Sequence, residues 1–292
     1  MAAALPAGLP AAEAAARLAG VSVCARIQPH QKLRTVNALK AAHVGIAMGG
    51  HGTDVAREAA AIVVLDDDFG AIPTAMRQGW RIHDNLQKAI GFIVAVHVPI
   101  AGLALLPLLA GLPMRLGPVD IALLEMIIDP VSALAFGAED AEADVMRRPP
   151  RWPAAPLFAP GRAAWSALQG AVVPMLIAGF TLALWQADLP EMQLRSASFV
   201  APCAGVLGLV LVNRRFGATA TALVGGANRV LLMVIGFVLA ILLATQSIPS
   251  LAPLLKFAPI GAGLAMAILG GALVAIAMLQ GLKRLWPTPF GR

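Results

Sequence analysis

From residue 89 onward the chain is a succession of apolar runs separated by short polar loops. A helix needs about 20 predominantly apolar residues to cross roughly 30 Å of hydrocarbon. Inside a bilayer every backbone N–H and C=O must be satisfied within the protein, so runs of this kind can only be helices. Six candidate spans are present: Ala89–Leu112, Val119–Gly137, Ala163–Trp185, Phe199–Val212, Val230–Ala244 and Phe257–Leu282. The fourth and fifth are short. Prolines 99, 107, 130, 174 and 202 fall inside the runs, which a bilayer helix tolerates where neighbours satisfy the freed carbonyls. With 59% hydrophobic and 13% charged residues, the chain has too little charge to cover a soluble domain of its size.

Basic residues set the expected orientation. One group of loops and the tail carry Arg147, Arg148, Arg151, Arg162, Arg214, Arg215, Arg229, Lys283, Arg284 and Arg292, whereas the opposite loops carry Arg115, Arg195 and Lys256. Ten against three places both termini in the cytosol of a multi-pass protein, with the plasma membrane as the expected location. The net charge of +6 then reflects topology, and no nucleic-acid partner is expected. Cys24 and Cys203 share no ligand spacing, so neither a disulfide nor a cysteine metal site is expected. The Ala-rich start lacks a basic n-region and makes a poor signal peptide.

The first 88 residues read as pieces of an α/β domain. Val21–Ala25, Val44–Met48 and Ile62–Leu65 are strand candidates. An amphipathic helix is expected over Pro29–Ala42, and a second from the cap Thr53 to Ala60. Asp66–Asp68 is a turn, and Phe69–Lys88 is helical and leads into the first span. Alternating strands and helices imply a thin parallel sheet. The fold class is therefore mainly α: a bundle of about six membrane helices over residues 89–292, preceded by a partial α/β segment over 1–88.

Glu125 and Asp129 are four residues apart near mid-membrane, so they share a helix face. A carboxylate at that depth costs a few kcal/mol and marks function by default. Two at one turn's spacing offer hard oxygen ligands to a cation, and Pro130 frees carbonyls as further ligands. His97 in the first span reads as a packing residue or as a third ligand. Lys32, on the polar face of its helix, reads by itself as a solvated lysine. Gly49–Gly52 lacks the lysine of a phosphate loop and reads as a turn. His30, His43, His51 and His83 show no metal spacing, and Asn213-Arg214-Arg215 reads as an interfacial anchor.

Several motifs, in order along the chain, resemble the P-type cation-transporting ATPases, whose phosphorylation domain is HAD-like. They are Cys24-Ala-Arg-Ile-Gln-Pro-His-Gln-Lys32, Gly45-Ile-Ala-Met-Gly49, Gly52-Thr-Asp-Val-Ala-Arg-Glu-Ala-Ala60, Val64-Leu-Asp-Asp-Asp-Phe69, Arg81-Ile-His-Asp-Asn-Leu-Gln-Lys88, Asp129-Pro130 and Arg147-Arg-Pro-Pro-Arg151 with Pro156-Leu-Phe158. The resemblance implies the end of the phosphorylation domain followed by the last six membrane helices. It makes Lys32 the phosphate-facing lysine and Asp129, Glu125 and His97 ligands of the transported cation. ATP and Mg²⁺ are implied as cofactors, but the phosphorylated Asp-Lys-Thr-Gly-Thr motif and the Mg²⁺-holding Thr-Gly-Asp-Gly-x-Asn-Asp motif do not occur in the sequence. The expectation is a chain that does not turn over ATP alone and whose partners are the lipid membrane and a chain supplying the remaining pump domains. An inert truncated product and a passive six-helix channel or carrier are the competing expectations. Glu125 stands where many calcium-type members have an amide. Ile100 stands where they have a carboxylate, which points away from calcium, and an imidazole suits a softer ion.

Overall fold

A computed structural model describes residues 36–37, 39–109, 116–149, 154, 156–216, 229–248 and 250–286. Two compact units divide at residue 78. In the first, β1 (Ile46–Met48) pairs in parallel with β2 (Ile62–Val64), Ile46 opposite Ile62 and Met48 opposite Val64. Between them runs α1 (Asp54–Ala59), whose cap Thr53 accepts a hydrogen bond from the Ala56 N–H at 3.3 Å and whose first turn carries Asp54. The described residues of this unit contain a two-stranded sheet and not a fuller α/β domain. Val21–Ala25 and the start of the Pro29–Ala42 helix lie outside the described residues.

The second unit is a helical bundle. Its first helix, α2, belongs to a 39-residue helical run, Ala71–Leu109. At 1.5 Å per residue it is about 58 Å long, close to twice the hydrocarbon thickness, so the helical segment before the first span and that span are one element. After it come α3 (Pro118–Pro130), α4 (Pro160–Gln186), α5 (Glu191–Asn213), α6 (Arg229–Ser247), the short α7 (Leu251–Leu255) and α8 (Ala262–Leu285).

Five helices among the described residues, not six, are long and apolar enough to span a membrane: α2, α4, α5, α6 and α8. The expected second span, Val119–Gly137, is helical throughout, over residues 118–137, but is not one regular helix and so is not among the five. It carries three carboxylates, Asp120, Glu125 and Asp129, and its regular helix stops after 13 residues at Pro130, where a π-helical turn over Val131–Ala135 takes over. Pro130 has no N–H to donate to the Met126 carbonyl, so the regular ladder is interrupted there, and the π-helical turn follows directly. The fourth span is longer than expected, because its first two turns accommodate Glu191 and Arg195.

The core centres on α5. Two-thirds of its apolar stretch is buried, against about a tenth of that of α8, so α8 presents most of its surface outward. Phe92, Ile127, Val173, Phe199, Val238, Leu255 and Leu279 bring α2 to α8 into one cluster. Lipid tails are as apolar as leucine, so close fit rather than water exclusion holds such helices together. The crossing of α2 and α4 illustrates this at Gly170: a Cβ there would lie 2.8 Å from the Val98 Cβ and 3.1 Å from the Ala95 carbonyl oxygen.

Candidate functional site

Glu125 lies on α3, six residues before the π-helical turn, and His97 lies on α2. The His97 Nε2 is 4.0 Å from the Glu125 Oε2. Nδ1–H of His97 donates to the Ile93 carbonyl at 2.8 Å, a bond that leaves the Nε2 lone pair of the neutral ring toward Glu125. Both side chains are partly exposed, so the pair sits on an open side of the bundle. A ring nitrogen and a carboxylate at this separation leave room for an ion between them. Asp129 is placed in α3 by its backbone, four residues beyond Glu125, and its side chain lies outside what is described. Lys32 also lies outside the described residues. No group of three or more His, Cys, Asp or Glu side chains with metal-holding geometry occurs among the described residues.

The Gly49–Gly52 segment is a turn. The Asp67 carboxylate accepts from the Gly50 N–H at 2.9 Å and the His51 N–H at 2.7 Å, and pairs with the His51 ring. The His51 hydrogen bond, helped by the two N–H donors, holds the Asp67 carboxyl below its usual range.

At the basic end of the bundle, sequence reasoning missed a network of buried ions. Lys88 of α2, 4% exposed, donates to Glu142 at 2.7 Å. Arg148 joins Asp84 at 2.8 Å and Asp144 at 2.7 Å. Its guanidinium holds the Asp144 carboxyl below the ordinary carboxylate range, and Asp144 in turn raises the Arg148 value. Arg214 donates to Glu139 at 2.9 Å with both side chains almost fully enclosed, so it is not the interfacial anchor expected of it. Three cations, from Lys88, Arg148 and Arg162, lie within 4.7–5.7 Å of the Phe216 ring centre. At the opposite end, buried Asp120 accepts from the Gly117 N–H at 2.8 Å and from Arg195 at 2.7 Å. The available signals were weak: a carboxylate two residues after Pro118 suggests a helix start, but nothing local names its partner 75 residues away.

The comparisons with known proteins fit this architecture. The family described as "Cation transporting ATPase, C-terminus" matches residues 113–285, more than half of the chain. A calcium-transporting ATPase of Bacillus subtilis (strain 168) is 35% identical over 159 residues, covering 48% of this chain and 18% of that protein. The sodium/potassium-transporting ATPase subunit alpha of Drosophila melanogaster is 41% identical over 116 residues, 40% of this chain and 11% of that protein. The alpha-3 subunit of Gallus gallus is 40% identical over the same length, covering 12% of that protein. The chain thus spans about a tenth to a fifth of these relatives' lengths. With a family match across α3 to α8 and motifs in the same order upstream, the chain belongs to the P-type cation-transporting ATPases, of which it carries the C-terminal membrane region.

Proposed function

We propose that this chain contributes the membrane cation pathway of an ATP-driven pump, with Glu125, Asp129 and His97 as ligands of the transported ion. The observation that carries this reading is the approach of His97 to Glu125 at 4.0 Å, one turn from a helix opened at Pro130. A charged or strongly polar pair at that depth is costly unless it has a use. The π-helical turn adds carbonyl oxygens released from regular pairing, and Asp129 supplies a second carboxylate on the same face. The open side of the pair is where helices of a longer pump would complete the coordination shell. Residues 1–88 belong to a phosphorylation domain in this reading, with Lys32 facing the phosphate. ATP and Mg²⁺ act on other parts of the pump, and residues 1–292 without those parts do not turn over ATP. Both termini are cytosolic and the host is the plasma membrane. The relatives are named for calcium and for sodium and potassium. Ile100 and Glu125 favour an ion other than calcium.

The test is a thermal-unfolding series in detergent across Ca²⁺, Mg²⁺, Mn²⁺, Zn²⁺, Na⁺ and K⁺. A ligand bound only by the folded state adds about 2.7 kcal/mol at a hundred times its dissociation constant. One ion should raise the midpoint of the wild type. Asp129→Asn and Glu125→Gln should remove most of that gain, and His97→Ala should remove less, because a carboxylate contributes charge as well as a lone pair. If no ion shifts the wild type, even when the missing pump domains are co-expressed, the pair is structural and the reading is wrong.

A further inference from the structure

At the basic end a pocket lies between α2, α4, α8 and the segment after α5, and its walls include Lys88, Arg162, Trp165, Arg215 and Lys283. Its enclosed space is about 20 Å³, room for one water molecule and for little else. The start of α4 and the end of α8 meet there, so the two helices run antiparallel, with the Trp165 and Trp286 ring centres 5.6 Å apart. Going inward, Gln169 lies four residues beyond Trp165, and Gln280 lies three residues before Lys283. Each therefore continues the pocket-lining face of its helix, about 4.5–6 Å deeper in the bundle. Along this face the Nε1–H of Trp165 (1% exposed), both amide atoms of Gln169 (0%) and the Oε1 of Gln280 (8%) have no partner. A backbone acceptor adjoins them. Pro99 has no N–H to give the Ala95 carbonyl, and that oxygen lies 3.1 Å from where a Cβ on Gly170, the residue next to Gln169, would stand.

We infer that this inner face binds about two water molecules, which join Trp165, Gln169, Gln280 and the Ala95 carbonyl. Buried polar groups left unanswered are costly. The groups present offer three N–H hydrogens, one from Trp165 and two from Gln169, and three oxygens, those of Gln169, Gln280 and Ala95. An anion would answer the hydrogens alone and a cation the oxygens alone, whereas water both donates and accepts. A buried water makes about three hydrogen bonds, so two waters match the six groups. Their role is to replace the bond that Pro99 removes from α2 and to link α2 with α4 and α8 at one depth. The waters involve neither the cation pair at Glu125 nor the charge at the pocket mouth.

X-ray hydroxyl-radical labelling of the full chain in nanodiscs of neutral lipid, read residue by residue by mass spectrometry, tests the assignment. The radicals form from water, so a buried ring is labelled only where a bound water touches it. In the wild type Trp165 should be labelled despite its burial, whereas Phe92 and Phe199, both fully buried in the apolar core, should stay unlabelled. Gln169→Leu removes a donor and an acceptor at similar size, and should abolish most of the labelling at Trp165. Gln280→Met, on the facing helix, should act in the same direction. Exposed Met146, outside the spans, is the internal standard and should be unchanged in both variants. A wild-type Trp165 as inert as Phe92, or equal Trp165 labelling in both variants, would overturn the inference. So would labelling at Trp165 that disappears when chloride replaces gluconate while Met146 is unaffected, since the groups would then hold an anion. Should Gln169→Leu fail to fold, Gln280→Met decides.

Discussion

Asp144 and Arg148 stand outside the spans. Hydrogen bonds from Arg148 lower the Asp144 carboxyl below 3.8, so the folded state favours its charged form. The stability this contributes is present above 3.8 and is lost as pH falls through the lower folded value. Asp144 is well exposed, and after solvent screening its share stays under about 1 kcal/mol. Asp144→Asn should therefore flatten only the extreme acid limb of a midpoint-against-pH curve. A larger effect is expected at Asp120, whose side chain is 1% exposed and held by Arg195. Arg195→Leu leaves that carboxylate buried and unpaired, at a cost of about 3–5 kcal/mol. Asp120→Asn should cost less, since the amide oxygen still accepts from Gly117. Denaturation in mild detergent, run on both variants, checks the order, and equal losses would mean that the ion pair is not what holds this corner. At this scale the sequence exposed Glu125 and Asp129, because one turn of helix is a local fact. The pairs Asp120–Arg195 and Glu139–Arg214 were hidden, because each joins residues 75 apart.

Among the elements, the α2–α4 crossing depends on the missing side chain of Gly170. Gly170→Val would place new atoms against Val98 and the Ala95 carbonyl and should destabilise by about 1–3 kcal/mol, the usual cost of overpacking. Gly179→Val, on the same helix but with nothing within 4 Å of its added Cβ, should be close to neutral and serves as the control. Thermal midpoints in one detergent compare the two directly. The apolar runs announced α2, α4, α5, α6 and α8, since length and hydropathy are properties of the run itself. They gave the extent of the helical run 118–137 but not the change to π-helical pairing after Pro130, and they understated α5, because Arg195 could be admitted only once Asp120 was there to receive it.

As a whole molecule the chain divides into a small unit with a two-stranded sheet and a tightly packed bundle. A parallel sheet is stable when both faces are covered, yet Ile62, Leu65 and Phe69 are exposed in the first unit. Limited proteolysis should nick residues 40–70 well before any bundle helix, and equal protection of the two would contradict this view of the unit. The sequence by itself determined the membrane class, the family and the carboxylates of α3. Each is carried by composition, by a motif, or by the spacing of a single helix, and none requires knowledge of a distant neighbour. Tertiary structure alone decided that His97 comes to Glu125, that Arg214 is buried on Glu139, and that four cations converge on one pocket. Those outcomes depend on which helices pack side by side, and in a bilayer that choice rests on local fit at places such as Gly170, where no periodic pattern in the sequence records the partner.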